Sequence, residues 1–130
     1  MKLSSKGRYA VRIMAELAKS EGFVSVSELS KKQGISVKYT EKIIAILLKG
    51  NLIMSVRGAA GGYRLLRGPE EYSIREILSA TDDLPKLAPC LCDGATCERM
   101  KVCPDVSCWE KLDSLITGYL NEVKLSDILS

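Results

Sequence analysis

The chain has 130 residues, of which 46% are hydrophobic and 27% are charged, a composition typical of one globular domain, or of one domain with an appendage. No apolar run approaches the roughly 20 residues of a membrane span, and the first residues lack the apolar core of a signal peptide. Histidine, the commonest general base, is absent, and we find no nucleophile–base pair and no phosphate-binding loop. We therefore expect a cytoplasmic protein that is not an enzyme, with no membrane partner and no small-molecule substrate.

The net charge of +3 is divided unevenly along the chain. Residues 1–66 carry twelve basic and four acidic side chains, a net charge of +8, whereas residues 67–130 carry seven basic and twelve acidic side chains, a net charge of −5. A basic region of this kind is typical of a surface that binds a polyanion. The division predicts that the two halves have different functions, with the first half facing nucleic acid.

Three helices are predicted in the basic half. Apolar residues at helical spacing indicate the first helix over 5–19. Ser25 is a plausible N-cap for a short second helix over 26–34, which ends at Gly34. A longer third helix with a polar first turn begins at Ser36. A short helix, a glycine-containing turn and a longer helix are typical of a helix-turn-helix, whose second helix enters the major groove of DNA.

A β-hairpin is predicted directly after the third helix. Its strands cover 52–56 and 63–66, and the turn between them, RGAAGG, contains three glycines. A hairpin behind a helix-turn-helix forms a wing that reaches the neighbouring minor groove, and Arg57 lies at its tip. The expected fold class is therefore mainly α with a small β-hairpin wing.

Polar residues on the outer side of the third helix are candidates for contacts with bases. Lysine donates to guanine, glutamate accepts from cytosine, and serine does either. Each of these residues taken alone is equally compatible with a solvated side chain or a phosphate contact. Together with Arg57, the predicted DNA-binding residues are Ser36, Lys38, Tyr39, Glu41 and Lys42.

A long amphipathic helix is predicted from about Asp105, after a shorter helix over 73–83. Such a helix has little of its own small domain to pack against, and symmetric DNA-binding proteins are usually dimers, so we expect a homodimer. The alternative is a helix that folds back on its own domain. The predicted dimer interface consists of Trp109, Leu112, Leu115, Ile116, Tyr119, Leu120 and Val123. The predicted domains are a winged helix-turn-helix over 1–83, a cysteine-rich loop over 84–104, and a dimerisation helix with a terminal turn over 105–130.

All five cysteines lie between residues 90 and 108, with the spacing C-x-C-x4-C-x5-C-x4-C. In the cytoplasm thiols stay reduced, so this cluster indicates metal ligands or a redox sensor rather than structural disulfides. No gap has the two residues that are usual in zinc sites, and wider gaps suit an iron–sulfur cluster held by four ligands on a loop. The spacing alone leaves an iron–sulfur cluster and a zinc ion open, with a thiol–disulfide switch as the third alternative.

Several stretches of the chain carry a family resemblance: MKLSSKGRYAV at the start, QGIS and YTE around the third helix, SVRGAAGGY in the wing, REILSATD, and CW followed by LITGYLNEVKLSDIL. They resemble the IscR and NsrR family of bacterial winged-helix, homodimeric transcription regulators, which sense iron–sulfur status, nitric oxide or iron. The resemblance implies a 2Fe–2S or 4Fe–4S cluster on Cys92, Cys97 and Cys103, with 2Fe–2S favoured. It also implies a double-stranded DNA operator and contacts at the DNA-binding residues named above. We expect a repressor or an activator, with repression of genes for iron–sulfur cluster biogenesis favoured.

The sequence departs from the family pattern where the fourth cluster ligand would be. The gap between Cys92 and Cys97 has four residues, one fewer than the family's usual gap. IscR-type members supply a histidine where this chain has Val106, and NsrR-type members can use an acidic residue where this chain has Arg8. The resemblance therefore does not give the fourth ligand.

Cys108 is the leading candidate for that ligand, because it follows Cys103 closely and thiolate is a softer donor than carboxylate. Cys90 and Asp105 are the alternatives. Two other functions compete with a cluster-controlled regulator. One is a DNA-binding regulator that uses the thiols for zinc or for reversible oxidation, and the other is an electron carrier whose basic half docks an acidic partner.

Overall fold

The computed structural model describes residues 3–82, 84 and 104–129. This part of the chain contains five α-helices and a two-stranded antiparallel hairpin, and none of the helices is long and apolar enough to cross a membrane. The elements in chain order are α1 (Ser5–Lys19), α2 (Val26–Gln33), α3 (Val37–Lys49), β1 (Ile53–Val56), β2 (Gly62–Leu65), α4 (Ile74–Ala80) and α5 (Val106–Glu122), with short 3-10 turns at Pro69–Glu71 and Leu125–Ile128. The predicted fold class is confirmed.

A serine side chain caps each of the first four helices. The capping hydroxyl accepts a hydrogen bond from a backbone amide in the first turn, which would otherwise lack a partner. The four capping residues are Ser4, Ser25, Ser36 and Ser73, and each accepts from the amide three residues later. Because these caps are local, the helix starts lie within a residue of their predicted positions.

The fourth helix ends earlier than predicted, at Ala80 rather than near residue 83. The hydroxyl of Thr81 donates to the carbonyl oxygen of Leu78 at 2.8 Å, and Asp82 adopts a left-handed backbone conformation with φ of 58°. A left-handed residue cannot continue a right-handed helix, so the helix stops before it.

Helix α1 lies at the centre of the fold, in contact with α2, α3, α4 and β2. Its inner face contributes Ala10, Ile13, Met14 and Leu17 to a single apolar core. The rest of the core comes from Val24, Leu29, Ile43, Ile44, Leu47, Leu52, Ile53, Tyr72, Ile74, Ile77, Leu78 and Leu125. Fully burying one large apolar side chain contributes about 1.5–3 kcal/mol, so the inner face of α1 stabilises the packing of the elements that it contacts.

The wing hairpin is joined by a third extended segment that the sequence does not predict. The backbone amide of Val24 donates to the carbonyl oxygen of Tyr63 at 2.9 Å, and the amide of Tyr63 donates to the carbonyl oxygen of Val24 at 2.8 Å. Gly62 has a φ of 147°, and a Cβ atom there would lie 2.6 Å from the carbonyl oxygen of Val24. Only glycine fits this close approach, which attaches the wing to the segment between α1 and α2.

The side chain of Tyr72 is fully buried at the base of the wing. Its hydroxyl donates to the carbonyl oxygen of Leu52 at 2.7 Å, just before β1 begins. The same oxygen accepts hydrogen bonds from the amides of Leu66 at 3.1 Å and Arg67 at 3.0 Å, just after β2 ends. One side chain therefore holds both ends of the hairpin together.

The chain beyond α5 returns to the same place. The amide of Leu125 donates to the carbonyl oxygen of Tyr72 at 2.9 Å, and the amide of Ile74 donates to that of Val123 at 3.0 Å. The side chain of Leu125 is fully buried in the core. The segment after α5 is therefore part of the winged unit, and Tyr72 is hydrogen-bonded both to this segment and to the wing.

We expect the Tyr72→Phe substitution to lower the free energy of unfolding by about 1–3 kcal/mol, because it leaves the buried carbonyl oxygen of Leu52 and the part-buried amides of Leu66 and Arg67 without their partner. The measurement is urea unfolding at a fixed protein concentration. Tyr63→Phe removes a hydroxyl from a half-buried side chain of the wing that lies outside the predicted dimer interface, and it is the matched control. Equal stability of the two variants would show that the buried hydroxyl does not hold the wing.

Candidate nucleic-acid interface

The structure brings the predicted DNA-binding residues of the third helix together on one surface. Ser36, Lys38, Tyr39, Glu41 and Lys42 line a single shallow depression at the start of α3. Ser36, Lys38, Glu41 and Lys42 are exposed. Two lysines and one glutamate on the first turns of a projecting helix provide both hydrogen-bond donors and an acceptor for base edges.

The outward orientation of these residues follows from the buried side of α3. That side consists of Thr40, Ile43, Ile44 and Leu47, whereas Ile46 and Leu48, which the apolar pattern also places inside, are only half-buried. The hydroxyl of Thr40 donates to the carbonyl oxygen of Ser36 at 2.8 Å, so this polar side chain is satisfied within the core. The first turn of the helix is therefore fixed from inside.

Tyr39 differs from its neighbours because it is half-buried rather than exposed. Its ring packs edge-on against the ring of Tyr9 on α1, with the centroids 5.8 Å apart and the ring planes at 81°. The sequence pattern assigns Tyr9 to the apolar face of α1 and gives no indication that it reaches α3. The orientation of Tyr39 is thus set by another helix.

Arg57 is exposed and directly follows β1, at the start of the wing turn. The turn is compact, because the amide of Gly61 donates to the carbonyl oxygen of Gly58 at 3.0 Å and Gly58 has a φ of 118°. A long cationic side chain on a narrow glycine-rich turn is suited to the minor groove, where the potential is most negative.

Of the predicted cluster ligands, only Cys108 lies among the described residues, and its thiol is exposed in the first turn of α5. The carboxylate of Asp105 accepts a hydrogen bond from the indole Nε1–H of Trp109 at 3.0 Å. Cys90, Cys92, Cys97 and Cys103 lie outside the described residues. Over 3–82, 84 and 104–129, no three acidic or cysteine side chains are grouped as a metal would require.

The predicted dimer stripe divides into two parts along α5. Leu120 and Val123 are half-buried against the core of their own chain, and Ile116 is also half-buried. The exposed members are Trp109, Leu112, Leu115 and Tyr119, with exposed fractions of 39%, 40%, 61% and 65%. The start of α5 therefore presents an apolar surface to its surroundings, while its end packs on the winged unit.

The helix-turn-helix, the wing attached to it and the polar exposed face of α3 define a winged-helix DNA-binding protein. Comparison with known proteins gives the family. The model of the Rrf2 family, described as an iron-dependent transcriptional regulator, matches residues 3–130. The chain therefore belongs to the Rrf2 family, and its resemblance to the IscR-type regulators is confirmed. The protein is a transcriptional regulator and not an enzyme.

Individual relatives agree with this assignment. The chain is 35% identical to the HTH-type transcriptional regulator IscR of Cronobacter sakazakii, over 100% of this chain and 81% of the relative. The solved structure of IscR from T. potens superposes with a TM-score of 0.76 at 36% identity, covering 99% of this chain and 86% of that one. The structure of oxidised CymR from Staphylococcus aureus superposes with a TM-score of 0.78 at 28% identity, covering 100% and 97%.

We expect Arg57→Ala to lower the affinity for a DNA duplex selected by the protein from a random pool on the order of tenfold, because the wing loses its groove contact. Fluorescence anisotropy at fixed salt measures this. Arg75→Ala removes the same charge from an exposed position on α4 and is the control. If the two variants lose affinity equally, Arg57 contributes only its charge.

Proposed function

We propose that this protein is a homodimeric, sequence-specific transcription regulator that acts in the cytoplasm and represses genes for iron–sulfur cluster biogenesis. It binds a near-palindromic operator with α3 and the wing, and an iron–sulfur cluster controls its occupancy of that operator. The observation that carries the DNA-binding part is the group of exposed polar residues at the start of α3, on a winged unit whose family consists of transcriptional regulators.

Each residue on α3 has a distinct chemical role in this proposal. Lys38 and Lys42 donate to guanine or to phosphate, and Glu41 accepts from the amino group of cytosine. The oxygen of Ser36 already accepts the amide of Tyr39 at 3.1 Å, so its O–H is left to donate to DNA. The face therefore has both donors and an acceptor, which sequence discrimination requires.

The exposed part of α5 supports a symmetric dimer. Trp109, Leu112, Leu115 and Tyr119 form an apolar surface that a second copy of α5 would cover. Two copies of α3 related by a twofold axis fit half-sites about 34–36 Å apart, or a multiple of that distance. Because the other end of α5 packs on the winged unit, the dimer contact sets the distance between the two copies of α3.

Cys92, Cys97, Cys103 and Cys108 would hold the cluster, with 2Fe–2S favoured over 4Fe–4S. The donor chemistry supports Cys108 as the fourth ligand, because its thiol is exposed whereas the Asp105 carboxylate already accepts the Trp109 indole N–H. When bound, a cluster supplies a redox-active, negatively charged centre joined to the start of α5. The chain's own contribution is to hold the Cys108 thiol in the first turn of α5, next to Trp109 of the proposed dimer surface, so that ligation and the separation of the two copies of α3 are linked.

The second candidate is a regulator of the same fold that responds to thiol oxidation. The exposed Cys108 thiol favours it, together with the existence of an oxidised form of CymR among the similar structures. The two candidates differ in what the purified protein contains, since a cluster carries iron and sulfide and absorbs visible light, and a thiol pair does not.

We expect protein purified without oxygen to contain iron and sulfide and to show a visible chromophore that the Cys92→Ala, Cys97→Ala and Cys103→Ala variants lose. Cys108→Ser should lose it or change its spectrum, while Cys90→Ser, the matched thiol control, should keep it. The measurement is the visible spectrum with iron and sulfide analysis. Full iron and sulfide in all three alanine variants would contradict the cluster, and an unchanged spectrum and reduction potential in Cys108→Ser would assign the fourth position to Cys90 or Asp105.

We expect Leu112→Asp to shift the protein from dimer to monomer in sedimentation velocity, because the substitution places an unpaired charge in the apolar surface. Ser114→Asp adds the same charge to an exposed position on the same helix and should leave the dimer intact. A folded Leu112→Asp variant that remains dimeric would show that the dimer contact lies elsewhere.

A further inference from the structure

Two side chains of α1 contact the helix-turn-helix, one at the first turn of α3 and the other at the end of α2. The first is Tyr9, whose ring meets the ring of Tyr39 at 5.8 Å between centroids. Edge-to-face aromatic pairs are directional, because the positive ring edge is attracted to the negative ring face. The contact therefore fixes which way Tyr39 points from the first turn of α3.

The second side chain is Arg12, one helical turn further along α1. Its Nε donates to the side-chain oxygen of Gln33 at 2.8 Å, and its second guanidinium nitrogen donates to the backbone oxygen of Gln33 at 2.8 Å. The guanidinium also lies over the ring of Tyr9, 4.8 Å from its centroid. Arg12 thus binds the last residue of α2 at two points and supports Tyr9 at the same time.

Gln33 is where the helix-turn-helix changes direction. The next residue, Gly34, has a left-handed φ of 66°, and the amide of Ile35 donates back to the carbonyl oxygen of Ser30. The side-chain amide of Gln33 also donates to Glu16 on α1 at 3.1 Å. Side chains of α1 therefore hold the turn between α2 and α3 in place.

We propose that Tyr9 and Arg12 are positioning residues for the recognition helix: they act on DNA through Tyr39 and Gln33. The inference rests on the proposed DNA-binding function and deepens it. Contacts to several base edges at once require α3 to be held within about 0.5 Å of one position. Non-specific attraction to phosphates depends on charge and tolerates a misplaced helix. Loss of the pair therefore lowers sequence preference more than it lowers general DNA affinity.

The test compares two duplexes of equal length: one selected by the wild-type protein from a random pool, and one of scrambled sequence. Tyr9→Leu and Arg12→Ala should each bind the selected duplex about three- to tenfold more weakly. For the scrambled duplex, Tyr9→Leu removes no charge and should match the wild-type protein, whereas Arg12→Ala should match Lys19→Ala, which removes one exposed charge from the end of the same helix. Tyr9→Phe retains the ring and should restore the preference for the selected duplex.

Two results would overturn the inference alone: an equal loss on both duplexes, which indicates a general effect on folding, or no loss on the selected duplex. Failure of the wild-type protein to select any duplex would instead overturn the proposed function. Urea unfolding of each variant establishes whether it is folded. Because Arg12 is exposed, Arg12→Ala is expected to fold and tests the inference even if Tyr9→Leu does not fold.

Discussion

The buried hydroxyl of Tyr72 makes three hydrogen bonds to the backbone at the two ends of the wing hairpin, and the backbone carbonyl of the same residue accepts the amide of Leu125. The Tyr72 hydroxyl and the carbonyl oxygen of Leu52 are buried and the amides of Leu66 and Arg67 are part-buried, so moving the wing would leave buried polar groups without their partners. The geometry of the DNA-binding surface depends on this junction. It makes the wing, the centre of the core and the end of α5 one structural unit, although they are far apart in sequence.

Helix α1 provides a second connection between the carboxyl-terminal part and the DNA-binding surface. Tyr9 and Arg12 contact the helix-turn-helix on one side, and on the other they line an apolar groove of about 360 Å³ that includes Leu120 of α5. Regulation of a DNA-binding protein requires a change at one site to alter the relative stability of two arrangements at another. In this protein the segment after α5 is bonded to Tyr72, which holds the wing, and Leu120 of α5 lines the same groove as Tyr9 and Arg12 of α1. Helix α5 is therefore connected to both of the proposed DNA-contacting elements.

The parts of the fold that the sequence predicts are those set by local interactions. Serine caps and apolar periodicity give the helix starts, and the glycine-rich turn gives the wing. The exposed polar face of α3 follows from the same periodicity, which is why its predicted residues lie together. The pairing of Val24 with Tyr63, the burial of Leu125 and the packing of Tyr39 on Tyr9 were not predicted, because each joins residues distant in sequence. The apolar stripe of α5 gives one continuous face, but only tertiary packing shows that its end covers the winged unit and its start does not.

Control of DNA binding by the cysteine segment can be measured by comparing one protein preparation in two states. Protein purified without oxygen is divided, and one half is stripped of iron with a chelator under the same conditions. The affinity of each half for the selected duplex is then measured at one salt concentration. If the cluster controls DNA binding, the affinities of the two halves should differ by about five- to 150-fold, the usual range of coupling between two sites. The Cys92→Ala variant treated in the same way should show no such difference. Equal affinities of the two wild-type halves, with iron and sulfide shown to be present in one and absent from the other, would contradict control by the cluster.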